Sequence, residues 1–159
     1  MKKQIVMATV AIMLMAVLMV PPVMASAGDK TIDVGGKQLK LVEHKENNIG
    51  DIKERGHVQS SIRGQLGPST YKDYRVYLSK GMRVEITIDH TPTTVTGVLL
   101  GVWDDDLIYA DYIIDNDQDG HAHFPDSGTC IIPENGYYRI VVGAYDGGFS
   151  YEGWYDIYW

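Results

Sequence analysis

Hydrophobic and polar residues alternate one by one along most of the chain after residue 56. In residues 82–89 every even-numbered residue is apolar and every odd-numbered residue is polar or charged. Successive side chains of a β-strand point to opposite faces, so this pattern predicts a half-buried strand. Residues 74–78 alternate in the same way. The short link Ser79-Lys80-Gly81 between the two stretches predicts a β-hairpin.

The same alternation recurs between turns that contain glycine or proline, and no stretch after the first 27 residues keeps apolar residues at helical spacing. The pattern therefore predicts an all-β fold, an antiparallel β-sandwich of jelly-roll type with about 7–9 strands. Further strands are predicted at residues 57–66, 95–103, 107–114, 128–132, 137–142 and 150–158, after a small hairpin at residues 32–42 and a polar linker at residues 43–55.

The first residues of the chain have the features of a secretory signal peptide. Lys2 and Lys3 precede an unbroken apolar run at residues 5–20, and Ala25-Ser26-Ala27 provides the small residues before a cleavage site. The run is shorter than the roughly 20 residues that span a bilayer, so an uncleaved membrane anchor is the alternative. We expect a secreted protein with a signal peptide at residues 1–27, the hairpin and linker at residues 28–56, and the sandwich domain at residues 57–159.

The mature chain is acidic, which limits its partners. Without Lys2 and Lys3, 12 basic residues stand against 21 acidic ones, a formal charge of −9. Nucleic acids and anionic membranes repel such a protein, whereas cations, neutral glycans and proteins do not. We therefore expect no nucleic acid partner and no membrane partner after signal cleavage, and we expect a monomer.

Cys130 is the single cysteine, so no intrachain disulfide can form. It lies in an apolar stretch with Ile131 and Ile132. The pattern favours a buried, inert thiol over a catalytic one, because free cysteine packs as a small hydrophobic residue.

Five segments follow one another in a recognisable order from residue 62 onward. They are IRGQL (62–66), DYRVYL (73–78), GMRVEITI (81–88), VLL (98–100) and GYYRIVV (136–142). In this order the chain resembles the bacterial pre-peptidase C-terminal domain, a secreted β-sandwich appended to peptidases and collagenases. The resemblance implies a sandwich fold and an extracellular location.

The stretch DNDQDGHAHFPD, residues 115–126, has the spacing of a calcium loop. Three aspartates alternate before Gly120, so their carboxylates can converge on one cation while the glycine allows a sharp turn. A solvated acidic turn is the alternative, since Asp and Asn are common turn residues. A transition-metal site at His121 and His123, with His90 or Asp126 as third ligand, is a further alternative. The predicted Ca²⁺ ligands are Asp115, Asp117, Asp119, the backbone carbonyl of His121, and Asp126.

Aromatic residues are concentrated at the C-terminus, where the last 23 residues hold 9 of the 16 aromatics. Trp154 and Tyr158 share the polar face of the last predicted strand, and Tyr137 and Arg139 share the outward face of the strand before it. If these strands are neighbours, the four residues form an aromatic platform for a sugar ring or an extended peptide. Cross-strand pairing that stabilises the sheet is the alternative.

The sequence contains no catalytic motif, so it predicts a protein that is not an enzyme. We expect a secreted, calcium-stabilised binding module for an extracellular polymer, either a glycan or a matrix protein. One alternative is a partner or inhibitor of a secreted peptidase. The other is a small secreted hydrolase that uses the paired carboxylates of Asp104, Asp105 and Asp106.

Overall fold

The computed structural model describes residues 30–47 and 56–159, and the predicted signal peptide lies outside these ranges. The described residues form β-strands joined by turns, and no helix among them is long and apolar enough to cross a membrane. The strands are β1 (Thr31–Val34), β2 (Lys37–Glu46), β3 (His57–Leu66), β4 (Thr70–Leu78), β5 (Arg83–Thr91), β6 (Val98–Asp104), β7 (Ala110–Asp115), β8 (His121–Phe124), β9 (Cys130–Ile131), β10 (Gly136–Ala144) and β11 (Phe149–Tyr158).

The strands form two sheets of a β-sandwich, which confirms the predicted fold class. The first sheet has the order β1-β2-β4-β10-β6-β7, and the second has the order β3-β11-β5-β8 with β9 also paired to β5. Within the described residues, neighbouring strands are antiparallel except β2 and β4, which are parallel. β8 was not predicted, because its four residues are too few to show a clear alternation. β9 lies within the predicted strand at residues 128–132 but has only two residues.

The main hydrophobic core lies between the two sheets. The period-two pattern identified its members correctly, because burial of one sheet face selects every second residue. The residues predicted to point inward are all in this core: Tyr74, Val76, Leu78, Val84, Ile86, Ile88, Val98, Leu100, Tyr138, Ile140 and Val142.

Two predicted strand pairings are wrong, although the strands themselves are present. β4 and β5 do not form a hairpin, since β4 belongs to the first sheet and β5 to the second. β10 and β11 are likewise in different sheets. A short turn can reverse the chain within one sheet or carry it across to the other, and alternation alone does not separate these cases. β6 and β7 follow one another along the chain and do form an antiparallel pair within the first sheet.

The N-terminal hairpin packs on the outer surface of the first sheet, called the covered face below. Ile32, Val34 and Leu39 form a second hydrophobic cluster with side chains from β4, β6 and β10 that point away from the main core. Gly143 leaves room for this layer, because a Cβ there would lie 3.1 Å from Leu39 Cδ2. β2 continues to Glu46 beside β4, so residues 43–46 are strand and not linker.

Candidate functional site

The outer surface of the second sheet, called the open face below, carries exposed side chains from β3, β11, β5 and β8. Trp154 lies at its centre and is 39% exposed. Its cross-strand neighbours are Ser61 on β3 and Thr87 on β5, and Thr87 pairs in turn with His123 on β8. His123 Nδ1 lies 3.0 Å from Thr87 Oγ1. The open face therefore presents one large aromatic ring among polar groups.

A row of charged side chains runs beside Trp154. The register pairs Arg63 with Glu152, Glu152 with Asp89, and Asp89 with His121, so the row crosses all four strands. His121 Nδ1 is in contact with Asp89 Oδ1. The nearest of these charged groups thus lie two residues along the strands from Trp154, about 7 Å away.

Tyr158 is held at one end of the open face by its neighbours. His57 stacks on its ring at 4.6 Å between centroids, and the Arg83 guanidinium lies 5.1 Å from the ring centroid. The Tyr158 hydroxyl donates a 3.4 Å hydrogen bond to Glu85. Desolvation raises the pKa of this hydroxyl. Tyr158 is therefore fixed in orientation, which lowers the entropy cost of a contact with a ligand.

Concave surfaces adjoin the open face. A groove of about 530 Å³ extends from the open face past β3 to the first sheet. Its lining residues include Trp154, Ser61, Arg63, Asp89 and Glu152 of the open face, and Lys45, Asn47 and Tyr74 from the other side. A smaller depression of about 200 Å³ shares Asp89 and Glu152. The alternation pattern did not point to Ser61, Arg63, Asp89 or Glu152, because only the strand order brings β3 and β5 to either side of β11.

The predicted four-residue aromatic platform is wrong. Trp154 and Tyr158 lie on the second sheet, whereas Tyr137 and Arg139 lie on β10 in the first sheet. Arg139 is 3% exposed, and its guanidinium donates hydrogen bonds to Asp73 at 2.5 Å and to Asp105 at 2.9 Å. Arg139 therefore belongs to a buried ion-pair network and is not available to a ligand.

Tyr137 is exposed, but with different neighbours from those predicted. Its side chain packs edge to face against Tyr77 with centroids 5.3 Å apart, and the Arg75 guanidinium stacks over its ring at 3.8 Å. Tyr77 and Tyr137 are 51% and 47% exposed. They form an aromatic pair at the end of the covered face that the N-terminal hairpin leaves free.

The acidic loop between β7 and β8 is organised by its own aspartates. The backbone N–H groups of Asp117, Asp119 and His121 each donate a hydrogen bond to the aspartate two residues earlier, at 3.0, 3.2 and 2.7 Å. The bond from His121 lowers the pKa of the Asp119 carboxyl. Gly120 has a φ of +89°, which only glycine adopts easily. One oxygen of each carboxylate therefore caps the turn.

The structure leaves calcium binding a prediction. Asp115, Asp117, Asp119, His121 and Asp126 all line one cleft of about 760 Å³ between β7 and β8. Among the described residues, no three or more His, Cys, Asp or Glu side chains are grouped so that they could hold a metal ion.

Two third ligands were considered for a transition metal. Asp126 lines the same cleft as His121 and His123, but among the described residues these side chains are not grouped so that they could hold a metal ion. His90 lies elsewhere. His90 is 4% exposed, packs against Phe149, and has Nδ1 3.2 Å from the Pro92 carbonyl oxygen. It is on the inner side of β5, whereas His121 and His123 pair with residues on the outer side. This arrangement does not support the transition-metal alternative.

The carboxylates that the hydrolase alternative would use are engaged in the fold. Asp104 accepts a 2.7 Å hydrogen bond from the Ile108 backbone, and Asp105 accepts hydrogen bonds from Arg75 and Arg139. The Arg75 hydrogen bond lowers the pKa of Asp105. A general acid requires a raised pKa, so the shift has the wrong direction for that role.

Cys130 is buried in the main core, as the sequence indicated. Burial raises the pKa of its thiol to about 12. The thiolate needed for nucleophilic chemistry is therefore disfavoured.

No family model and no curated protein matches the chain. Solved structures do match. One is a mutant of PliG-Ec, a periplasmic inhibitor of g-type lysozyme from Escherichia coli. It is 15% identical, the match covers 73% of this chain and 96% of that chain, and the TM-score is 0.42. PliG of Aeromonas hydrophila matches with 13% identity, 74% and 98% coverage, and a TM-score of 0.38. The pre-peptidase C-terminal domain of collagenase from Bacillus anthracis matches with 12% identity, 79% and 98% coverage, and a TM-score of 0.40.

The chain is thus similar to the pre-peptidase C-terminal domain in structure as well as in the order of its sequence segments. Matches at these TM-scores carry no conclusion about function.

Proposed function

We propose that this protein is a secreted, non-catalytic module that binds an extracellular polysaccharide on the open face. One observation carries the proposal. Trp154 is exposed at the centre of a sheet face that no described segment covers, and it lines a groove of about 530 Å³ with charged and hydroxyl side chains. Secretion rests on the predicted signal peptide.

The chemistry of the groove suits a sugar ring. The apolar face of a pyranose packs on an indole ring, and its hydroxyl groups take hydrogen bonds from planar polar side chains. Arg63 supplies donors at one side of Trp154, and Glu152 and Asp89 supply acceptors in the same row. A few polar groups around an aromatic surface is the usual composition of a small-ligand site.

The shape of the face favours a polymer over a single sugar. Trp154 and Tyr158 are four residues apart on β11, which corresponds to about 13 Å along a strand. A ligand that contacts both rings must be extended. Both rings point to the same side of the sheet, so a linear chain can lie along β11 across them.

The groove lacks the environment of a glycosidase. A catalytic acid is kept protonated by burial. The Asp89 side chain is 57% exposed and is in contact with His121, and Glu152 is also exposed. Binding without hydrolysis follows from this exposure.

The test compares Trp154→Ala with Tyr137→Ala, an equally exposed aromatic on the other sheet. Retention on insoluble cellulose, chitin and peptidoglycan measures binding, and release of reducing sugar measures hydrolysis. We expect one polysaccharide to retain the wild type and Tyr137→Ala, and retention of Trp154→Ala to fall about tenfold, the effect of losing about 1.4 kcal/mol. Unchanged retention of Trp154→Ala would contradict the proposal, as would release of sugar by the wild type.

We also propose that Ca²⁺ stabilises the acidic loop by drawing its carboxylates together. Among the described residues these side chains are not grouped as a metal site, but three aspartates that line one cleft keep a second carboxylate oxygen outside the turn hydrogen bonds. Extracellular calcium sites have dissociation constants of about 10⁻⁴ to 10⁻³ M. At about 1 mM Ca²⁺ such a site adds about 0.4–1.4 kcal/mol to the free energy of unfolding. Urea unfolding with Ca²⁺ and with chelator measures the difference, and Asp117→Asn should abolish it. Equal midpoints would leave the solvated turn as the explanation.

A second candidate function is binding to a protein, and the exposed pair Tyr77 and Tyr137 favours it. Tyrosine and arginine dominate the energetics of protein interfaces, and Arg75 already orders the Tyr137 ring. A secreted peptidase and a g-type lysozyme are suitable first probes. Inhibition or co-elution that is lost in Tyr137→Ala but kept in Trp154→Ala would establish this candidate instead.

A further inference from the structure

The strand β7 is the last strand of the first sheet and leaves one backbone edge free. Within the described part of the chain it pairs only with β6. The carbonyl oxygens of Asp115 and Tyr109 accept hydrogen bonds from Gly97 and Asp104, which lie at the two ends of β6. Odd-numbered residues of β7 therefore direct their backbone groups toward β6. Alternation along the strand places the N–H and C=O groups of Ala110 and Tyr112 on the free side.

The free edge of β7 differs from that of β3, the outermost strand of the second sheet on the other side of the sandwich. On β3, the carbonyl oxygen of Arg63 accepts hydrogen bonds from Lys72 Nζ at 3.3 Å and from the Tyr74 hydroxyl at 3.5 Å. These side chains block a strand that would add there. At β7 the recorded side-chain contact to a backbone group is a weak 3.4 Å bond from Asn116 to the Ile114 carbonyl, at the end of the strand. The groups of Ala110 and Tyr112 are accessible.

Apolar side chains lie beside this edge. Tyr112 is 37% exposed and stacks on Trp103 with centroids 5.4 Å apart. The stack lies over Gly101, where a Cβ would be only 2.5 Å from the Tyr112 Cβ, so the aromatic pair holds β7 in place. Ile108, just before the strand, is 84% exposed. An added strand would therefore gain apolar contacts as well as hydrogen bonds.

The chain segment that contains β7 carries charges of one sign, although Asp105 in this segment is already paired with Arg75 and Arg139. Residues 84–138 contain 11 Asp and Glu residues and no Lys or Arg. Eight of the 11 acidic residues are aspartates at positions 104–126, which lie before, within and after β7. A positively charged segment is complementary to this region, whereas a second copy of β7 would bring like charges together.

We propose that β7 binds an extended, lysine- or arginine-rich protein segment by β-strand addition. The segment pairs with the free N–H and C=O groups of Ala110 and Tyr112 and alternates its side chains between the tyrosine side and the acidic loops. The edge of β7 belongs to the first sheet and Trp154 to the second, although His121 and His123 of the open face share a cleft with the end of β7.

The test uses synthetic seven-residue peptides of alternating Lys and Val, and of alternating Glu and Val, with binding measured by fluorescence anisotropy. A third peptide has the Lys–Val sequence with N-methyl groups on alternate residues, and a fourth has them on the other residues. We expect the Lys–Val peptide to bind and the Glu–Val peptide to bind at least tenfold more weakly. Only one edge of an added strand faces β7, and N-methyl groups on that edge block its hydrogen bonds. One of the two N-methylated peptides should therefore fail to bind.

The matched variants are Ala110→Pro and Ala110→Ser. Proline removes the N–H that points to the free edge and leaves the β6–β7 hydrogen bonds intact, so it is tolerated on an edge strand. Ala110→Pro should weaken binding at least tenfold, whereas Ala110→Ser should stay within twofold of the wild type. Circular dichroism and thermal melting confirm that both variants fold. Binding to the open face should be unchanged in both.

Three outcomes would overturn the proposal. The first is no binding of the Lys–Val peptide at about 1 mM, an affinity too weak for a specific strand partner. The second is that folded Ala110→Pro binds the Lys–Val peptide as tightly as the wild type does, or that both N-methylated peptides bind as tightly as the unmethylated one. Either result would mean that the peptide binds by general charge attraction and not by strand pairing. The third is a dimer of the wild type in sedimentation that Ala110→Pro dissociates, which would make a second copy the occupant.

Discussion

Both outer surfaces of the sandwich carry charged and aromatic side chains, but these are largely buried on one surface and exposed on the other. On the covered face, Arg139 is 3% exposed and lies between Asp73 and Asp105. On the open face, Arg63 and Glu152 are neighbours on adjacent strands and both are exposed. Charged and aromatic side chains are therefore structural on the first surface and available for binding on the second.

The N-terminal hairpin causes this difference. β1 and β2 continue the first sheet beside β4, and their apolar side chains pack on its outer surface. Charged groups that this packing removes from water must be paired. Asp73 is completely buried, and it also lies 2.6 Å from His44 Nδ1 on β2. No comparable layer lies on the second sheet within the described residues. A surface with charged groups and no such cover is the better candidate for ligand binding.

The largest expected effect is on the covered face. Asp73→Ala leaves the Arg139 guanidinium buried without its closest partner, and loss of one partner of a buried ion pair costs about 3–5 kcal/mol. Urea unfolding at neutral pH measures the change in the free energy of unfolding. The matched variant on the open face is Asp89→Ala, which should change it by less than about 1 kcal/mol. Similar values for the two variants would remove the distinction between the faces.

The second effect tests the apolar part of the cover. Leu39 is 0% exposed in the second hydrophobic cluster, and Leu39→Ala should cost about 2–4 kcal/mol through lost burial and the cavity left behind. Val42 lies on the same strand and is 53% exposed, so Val42→Ala should stay within about 0.5 kcal/mol of the wild type. Thermal or urea unfolding separates the two. A small effect of Leu39→Ala would show that the hairpin contributes little to stability.

The third effect concerns the centre of the open face. Trp154 is 39% exposed and outside both hydrophobic clusters, so Trp154→Ala should lower the free energy of unfolding by about 1 kcal/mol or less. Trp103→Ala on the covered face, where the ring is 2% exposed, should cost about 3–5 kcal/mol. A loss of several kcal/mol in Trp154→Ala would assign the ring a structural role and weaken the binding proposal.

The sequence predicted strand positions and burial well because both depend on short-range alternation. The bounds of β3 were predicted as residues 57–66, and the even-numbered apolar residues of the stretch 82–89 include Val84, Ile86 and Ile88 of the core. Such information is local, since a half-buried strand buries every second side chain whichever strand lies beside it.

The candidate sites depended on strand neighbours, which alternation does not encode. The platform of Tyr137, Arg139, Trp154 and Tyr158 required β10 and β11 to be adjacent, and the turn at residues 146–148 instead crosses between the sheets. Arg139 looked exposed because it alternates with Tyr138 and Ile140. Only the hairpin above it and Asp73 beside it, 66 residues earlier, show that it is buried.

The smallest expected effect is a pH dependence from the rim of the covered face. The hydrogen bond from Arg75 lowers the pKa of Asp105 below its ordinary value, so Asp105 stabilises the fold above that value and loses this contribution as the pH falls through its folded-state pKa. Asp105 is 37% exposed, which limits the contribution to less than about 1 kcal/mol. Between about pH 5 and pH 3 the free energy of unfolding should therefore fall less steeply in Asp105→Asn than in the wild type. Arg75→Met should reduce the slope by a similar amount, and the double variant should reduce it no further. If the free energy of unfolding depended on pH in the same way in the wild type and in Asp105→Asn, the Arg75–Asp105 ion pair would be no stronger than one on a fully exposed surface. The stabilising effect of burial on the covered face would then not extend beyond Arg139.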